Sequence, residues 1–156
     1  MTPHIGITEK NMVSSVHLLT HILADEVTLY TKTRKFHWNV SGQSFMELHK
    51  LFQAQYTELE EVIDEVAERI NKLGGKTIGS LREFVELTSI KESTTIPLQK
   101  EMLKELLADH QMVAIELRRN ITTCANENND AGSADFLTGL LQQHETIAWV
   151  LRRYLV

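Results

Sequence analysis

Two histidines and two carboxylates in the stretch from Phe36 to Arg69, FHWNVSGQSFMELHKLFQAQYTELEEVIDEVAER, stand at separations that geometry can test. Asp64 and Glu68 are related as i and i+4, so on a helix they leave one face about one turn apart, near enough to hold a metal ion together. His37 and His49 flank the breaker segment Asn39-Val40-Ser41-Gly42. Antiparallel helices on either side of that turn bring the two imidazoles level with each other. Imidazole nitrogens combined with carboxylate oxygens suit iron, manganese or zinc.

One chain cannot bring all four to the same ion. Fifteen residues of unbroken helix separate His49 from Asp64 by about 22 Å. Fifteen steps of about 100° leave the two only roughly 60° apart around the axis, so both point to one broad side. An antiparallel second copy of the same helix lays His49 beside Asp64 and Glu68 of its partner, and a twofold axis then generates two identical mixed sites. The spacing predicts a shared site in an oligomer.

Four long helices must position these residues. Val13, Val16, Leu19, Leu23, Val27, Tyr30 and Arg34 recur every three or four residues and predict a first helix from about Asn11 to Trp38. A second, from about Ser44 to Leu73, carries the stripe Phe45, Leu48, Phe52, Tyr56, Leu59, Ile63, Val66 and Ile70, and ends at Gly74-Gly75. Beside this stripe runs another, of His49, Gln53, Glu60, Asp64 and Glu68. Residues 75–96 exceed a hairpin turn, and Leu81–Leu87 within them has a short helix's pattern, so the connection is a long crossover. A third helix follows Ser93-Thr94-Thr95, with Pro97 in its first turn and Leu98, Met102, Leu106, Val113, Leu117 and Ile121 facing inward, and runs to about Cys124. The segment from Asn126 to Gly132 breaks it. The fourth runs from about Ser133, with Asp130 as a possible cap, through Phe136, Leu140, Ile147, Val150 and Tyr154. The expected fold is all-α, a ferritin-like four-helix bundle with a short extra helix in the long crossover between the second and third long helices.

The pattern His37-Trp38-Asn39-Val40-x-Gly42, then Phe45-x-x-Leu48-His49-x-x-Phe52, Tyr56 and Asp64-x-x-Ala67-Glu68-Arg69, closely resembles the Dps family, the mini-ferritins named as DNA-binding proteins from starved cells. The resemblance runs over nearly the whole chain. It implies a ferroxidase centre between twofold-related subunits, with His37 and His49 from one chain and Asp64 and Glu68 from the other. It further implies a hollow dodecamer that binds ferrous iron, oxidises it with hydrogen peroxide or dioxygen and stores the ferric product. Trp38 is then placed beside the iron site, where it can intercept a stray one-electron oxidant. Asp130 and Asp135, which on their own read as capping and first-turn carboxylates, fall in the segment that lines an acidic threefold pore for iron entry. Two positions depart from the family pattern: Gln53 stands where many members carry an Asp, and Gly139 stands at the third position of the pore pattern.

The remaining candidates carry less. None of the residues three before His37, His49, His110 and His144 is a glutamate, so the Glu-x-x-His motif of larger ferritin-like cores is missing and an intrachain di-iron core is not expected. His17 and His21 form an i, i+4 pair without an adjacent carboxylate in sequence. His4, His110 and His144 read as surface or packing residues, Trp38 and Trp149 as core residues by default, and Cys124 as a small buried one. The chain has 156 residues, a formal net charge of −5, 42% hydrophobic residues and one cysteine. That describes one mildly acidic domain over residues 1–156, with no disulfide framework and no membrane span, expected in the cytoplasm. Binding to DNA at neutral pH is not expected: Lys10 stands beside Glu9, and Arg152 and Arg153 are not part of a basic tract.

Overall fold

The computed structural model describes residues 2–156 and contains five helices. Helix α1 (Glu9–Asn39) starts where the Thr8 hydroxyl accepts the Asn11 N–H at 3.3 Å, a side-chain cap on an otherwise orphaned donor. Helix α2 (Phe45–Lys72) closes at Leu73 and turns away through Gly74, whose φ of +82° is left-handed. A Cβ at Gly74 would also meet Pro3 Cδ at 2.7 Å, so glycine is required there twice over. The crossover contains α3 (Leu81–Leu87), held by a reciprocal capping box between Ser80 and Glu83. Helices α4 (Gln99–Asn126) and α5 (Ala131–Arg153) complete the bundle, with Asp130 capping α5 through the Ser133 N–H at 2.9 Å.

Polar contacts between distant segments fix the helix directions. Ser15 with Asn128 and Glu26 with His144 advance together along α1 and the α5 side, so these two helices run the same way. Asn11 with Glu127 and Lys32 with Asp109 advance in opposite senses, so α4 opposes α1. The chain is thus an α1–α2 hairpin and an α4–α5 hairpin joined by the crossover. Asp25 ties that crossover down by accepting the Thr88 hydroxyl at 2.8 Å and the Ser89 N–H at 2.6 Å, while burial pushes its carboxyl above the usual range.

Leu19, Phe36, Phe52, Leu106, Leu117 and Leu137 are fully buried in the common core. Each contributes about 2 kcal/mol of transfer free energy. The inward face of α1 differs from the expected one. It runs through Met12, Ser15, Leu19, Ile22, Leu23, Glu26, Leu29, Thr33 and Phe36, whereas Val13 is 64% exposed and Tyr30 and Arg34 lie on the half-buried flank. Ser15, Glu26 and Thr33 find partners inside the bundle, so hydrophobicity alone did not mark this face. Pro97 precedes α4 rather than opening it, and Leu98 is its exposed N-cap. Trp38 and Trp149 are 66% and 51% exposed, which corrects their reading as core. Among the described residues, no helix is long and apolar enough to cross a membrane.

Candidate metal centre

The turn between α1 and α2 brings His37 and His49 face to face, with ring centres 3.8 Å apart and planes inclined by 20°. Each imidazole is held by the other residue's main chain. His37 Nδ1 lies 2.7 Å from the His49 carbonyl, and His49 Nδ1 lies 2.9 Å from the His37 carbonyl. A carbonyl only accepts, so both Nδ1 atoms carry the proton and both neutral rings keep a lone pair on Nε2. The sequence folds this way because His37 sits in the last turn of α1, where carbonyls lack helical partners, and His49 faces it from the second turn of α2. Two nitrogen donors are therefore fixed in tautomer and orientation. Tyr56 packs edge-on to His37 at 5.2 Å, and the Arg34 guanidinium lies 5.0 Å from the Tyr56 ring centre and 5.6 Å from that of Trp38.

Asp64 and Glu68 project into solvent from the other half of α2, Glu68 paired with Lys72 at 3.0 Å. The helix is unbroken from Phe45 to Lys72. The imidazole pair and the carboxylate pair thus remain about 22 Å apart along α2. Among the described residues, no group of three or more His, Cys, Asp or Glu side chains of one chain gathers in a metal-holding arrangement. One protomer thus presents an imidazole pair and a carboxylate pair at separate places.

Comparison with known proteins bears on what these pairs belong to. The ferritin-like domain model matches residues 16–156. A low temperature-induced protein of Nostoc sp. is 40% identical over 97% of this chain and 86% of its own length. The DNA protection during starvation protein 2 of Bacillus anthracis is 35% identical over 90% of this chain and 95% of its own length. The chain belongs to the Dps family. The crystal structure of the Dps protein from Vibrio cholerae O1, described as a member of a broad superfamily of ferritin-like diiron-carboxylate proteins, superposes with a TM-score of 0.94 at 28% identity, covering 99% of this chain and 97% of that one. The all-α bundle with its extra helix is the Dps fold.

Within this Dps protomer the other sequence candidates separate. Trp38 follows His37 directly and stands exposed. Asp130 has no accessible surface: it caps α5, and Arg69 Nη2 reaches it at 3.0 Å. Burial pushes its carboxyl up, but hydrogen bonds from Ser133 and Ser15 and the Arg69 charge outweigh that and hold it below the usual carboxylate range. Asp130 is thus engaged at the start of α5, while Asp135, one turn further on, is exposed. His17 and His21 stack edge to face at 4.8 Å, and His21 Nδ1 lies 3.3 Å from the Leu87 carbonyl, a link between α1 and α3. Cys124 is buried, and burial raises its thiol. Sequence reasoning missed the role of His110 and His144, which are joined to each other and to Glu26 in the bundle interior. The only available signal was their recurrence on the inward faces of two predicted helices.

Proposed function

We propose that the protein is a ferroxidase and iron store: an oligomer, expected to be a dodecamer, that oxidises ferrous iron with hydrogen peroxide or dioxygen at sites shared across twofold interfaces and keeps the ferric product inside its shell. The observation that carries this reading is the reciprocal clamp between His37 and His49, which leaves the Nε2 atoms of both rings free to ligate, while helix periodicity puts His49, Asp64 and Glu68 on one broad side of α2. Two such helices laid antiparallel put the imidazoles of one chain against the carboxylates of the other. The diiron-carboxylate superfamily to which the Vibrio structure is ascribed supports iron as the substrate.

The chemistry asked of these residues is modest. Two ferrous ions supply two electrons, hydrogen peroxide takes them with two protons and leaves as two waters, and no hydroxyl radical is released. His37 and His49 hold the first ion, while Asp64 and Glu68 add negative charge that favours the ferric product. Lys72 must release Glu68 for it to ligate, a small cost for a solvent-exposed pair. Trp38, beside the imidazoles at the exposed rim, is placed to give up an electron when only one iron is present. Asp135 provides acidity along the path of entry. Protection of DNA follows from removal of iron and peroxide.

Co-assembly of two inactive variants tests the shared site. His49→Ala and Asp64→Ala should each lose rapid peroxide-dependent iron oxidation. A mixed twofold pair keeps one intact set of four ligands, and random mixing makes half the pairs mixed, so about one quarter of the sites should recover. A verified mixed shell with no recovered activity overturns the intersubunit reading.

A further inference from the structure

Glu26 on α1, His144 on α5 and His110 on α4 meet in the middle of the bundle, each 0% exposed, and the oxidation site uses none of them. His144 is the central member. Its Nε2 lies 2.8 Å from Glu26 Oε1, and its Nδ1 lies 2.9 Å from Nδ1 of His110. Each contact holds one shared proton. The outer atoms of the chain, Glu26 Oε2 and His110 Nε2, are buried with no hydrogen-bond partner.

Two nitrogens facing each other make the arrangement sensitive to proton count. With His144 Nε2–H donated to the Glu26 carboxylate, His144 Nδ1 accepts from His110 Nδ1–H and the group carries one negative charge. A further proton enters at His110 Nε2 while the shared N–H moves to His144, giving a carboxylate, an imidazolium and a neutral imidazole. One more proton turns both Nδ1 atoms into donors 2.9 Å apart with no acceptor between them. The contact then repels.

No neighbouring group relieves this second imidazolium. On α1, Asp25 is engaged by Thr88 and Ser89, and Lys32 pairs with Asp109 of α4. The buried face of α2 is apolar apart from Gln55, and α3 buries no residue. Glu145, next to His144 on α5, is on the surface with Arg118. Burial first, and then the His144 charge, hold the affinity of His110 for a proton well below the ordinary value.

We propose that Glu26, His144 and His110 form an acid-sensitive latch, which holds α4 against α5 through one shared N–H, with Glu26 of α1 on the other side of His144, and opens when both imidazoles are protonated. The latch lies apart from the metal centre and stands whether or not iron is the substrate. Acid therefore loosens the bundle interior.

The assembled protein tests this by near-ultraviolet circular dichroism from pH 8 to pH 4 at constant ionic strength. The wild type should lose its tertiary signal cooperatively within this range as the pH falls, with a steepness of more than one proton per chain. In His110→Asn, Oδ1 stands near the place of Nδ1 and accepts the His144 N–H in its charged state. Its transition should move at least one pH unit lower. Solid-state nitrogen NMR of histidine-labelled wild type gives a second measurement that does not depend on the variant folding. At pH 7.5 one of the two facing Nδ1 atoms should be protonated and the other not, and both should be protonated once the tertiary signal is lost. Coincident transitions of wild type and variant, two protonated Nδ1 atoms at pH 7.5, or a tertiary signal that survives double protonation would each overturn the latch.

Discussion

Replacing Asp130 by alanine removes two interactions at once, and the structure allows their sum to be worked out. The carboxylate caps α5 through the Ser133 N–H at 2.9 Å, a contact whose loss costs about 1 kcal/mol. It also accepts from Arg69 Nη2 at 3.0 Å, a charge-assisted bond of about 1.5–3 kcal/mol. The Arg69 side chain is 23% exposed, so water takes over part of that loss and the lower end applies. The total is about 2.5 kcal/mol, which for a chain of this size lowers the melting temperature by roughly 5–10 °C. Scanning calorimetry at one fixed protein concentration measures it, since subunit association contributes to the same transition. Asp130→Asn keeps an acceptor for the cap and should lose about half as much. The carboxyl of Asp130 is held below its unfolded value, so its contribution is complete above the ordinary range near pH 3.9 and fades as the pH falls through the folded value. The reasoning fails if Asp130→Ala melts within about 1 °C of wild type, or if Asp135→Asn, a surface change, destabilises as strongly.

Three further outcomes are expected. Asp135→Asn should leave melting unchanged and slow iron uptake at low ionic strength, with the difference from wild type disappearing as added salt screens the focused charge, read by stopped-flow absorbance. Lys32→Met strands Asp109 in the bundle and should cost roughly 3 kcal/mol. Burial already raises the Asp109 carboxyl above its unfolded value, so without its lysine the fold should weaken further as the pH rises from 4 to 7 in urea titrations. With a net charge of −5 per chain, the assembled protein should give no gel shift with duplex DNA at neutral pH and physiological salt, and at most a weak, salt-sensitive one in acid.

Helix count, the position of the short crossover helix and the end of α2 at Gly74 were legible in the sequence because each rests on a local rule: a 3.6-residue period, a capping box, a left-handed glycine. The pairing of His37 with His49 was legible from their distances to the turn. The reciprocal carbonyl bonds were not, since they depend on the register of two helix ends. The inward face of α1 was misplaced by one position because part of it is polar. Glu26 reads as a solvated glutamate until His144, 118 residues later, is brought against it. Asp130 illustrates the opposite case: its capping role is a local signal, while the Arg69 that buries its charge comes from another hairpin.

The bonds between the two hairpins also bear on how the chain finds its fold. Each hairpin joins neighbours in sequence and can form quickly, whereas docking one on the other closes a long loop and is slower. The docking surface is mostly aliphatic, and aliphatic ridges tolerate sliding by one helical turn, about 5.4 Å. Lys32 with Asp109, Arg69 with Asp130 and Glu26 with His144 do not. A one-turn slip leaves three carboxylates without partners in an apolar interior, at several kcal/mol apiece. Misregistered protomers are thereby rejected before assembly, and since His49, Asp64 and Glu68 stand on α2 and His37 of α1 is clamped to His49, every subunit that joins a shell presents its imidazoles and carboxylates at the same height.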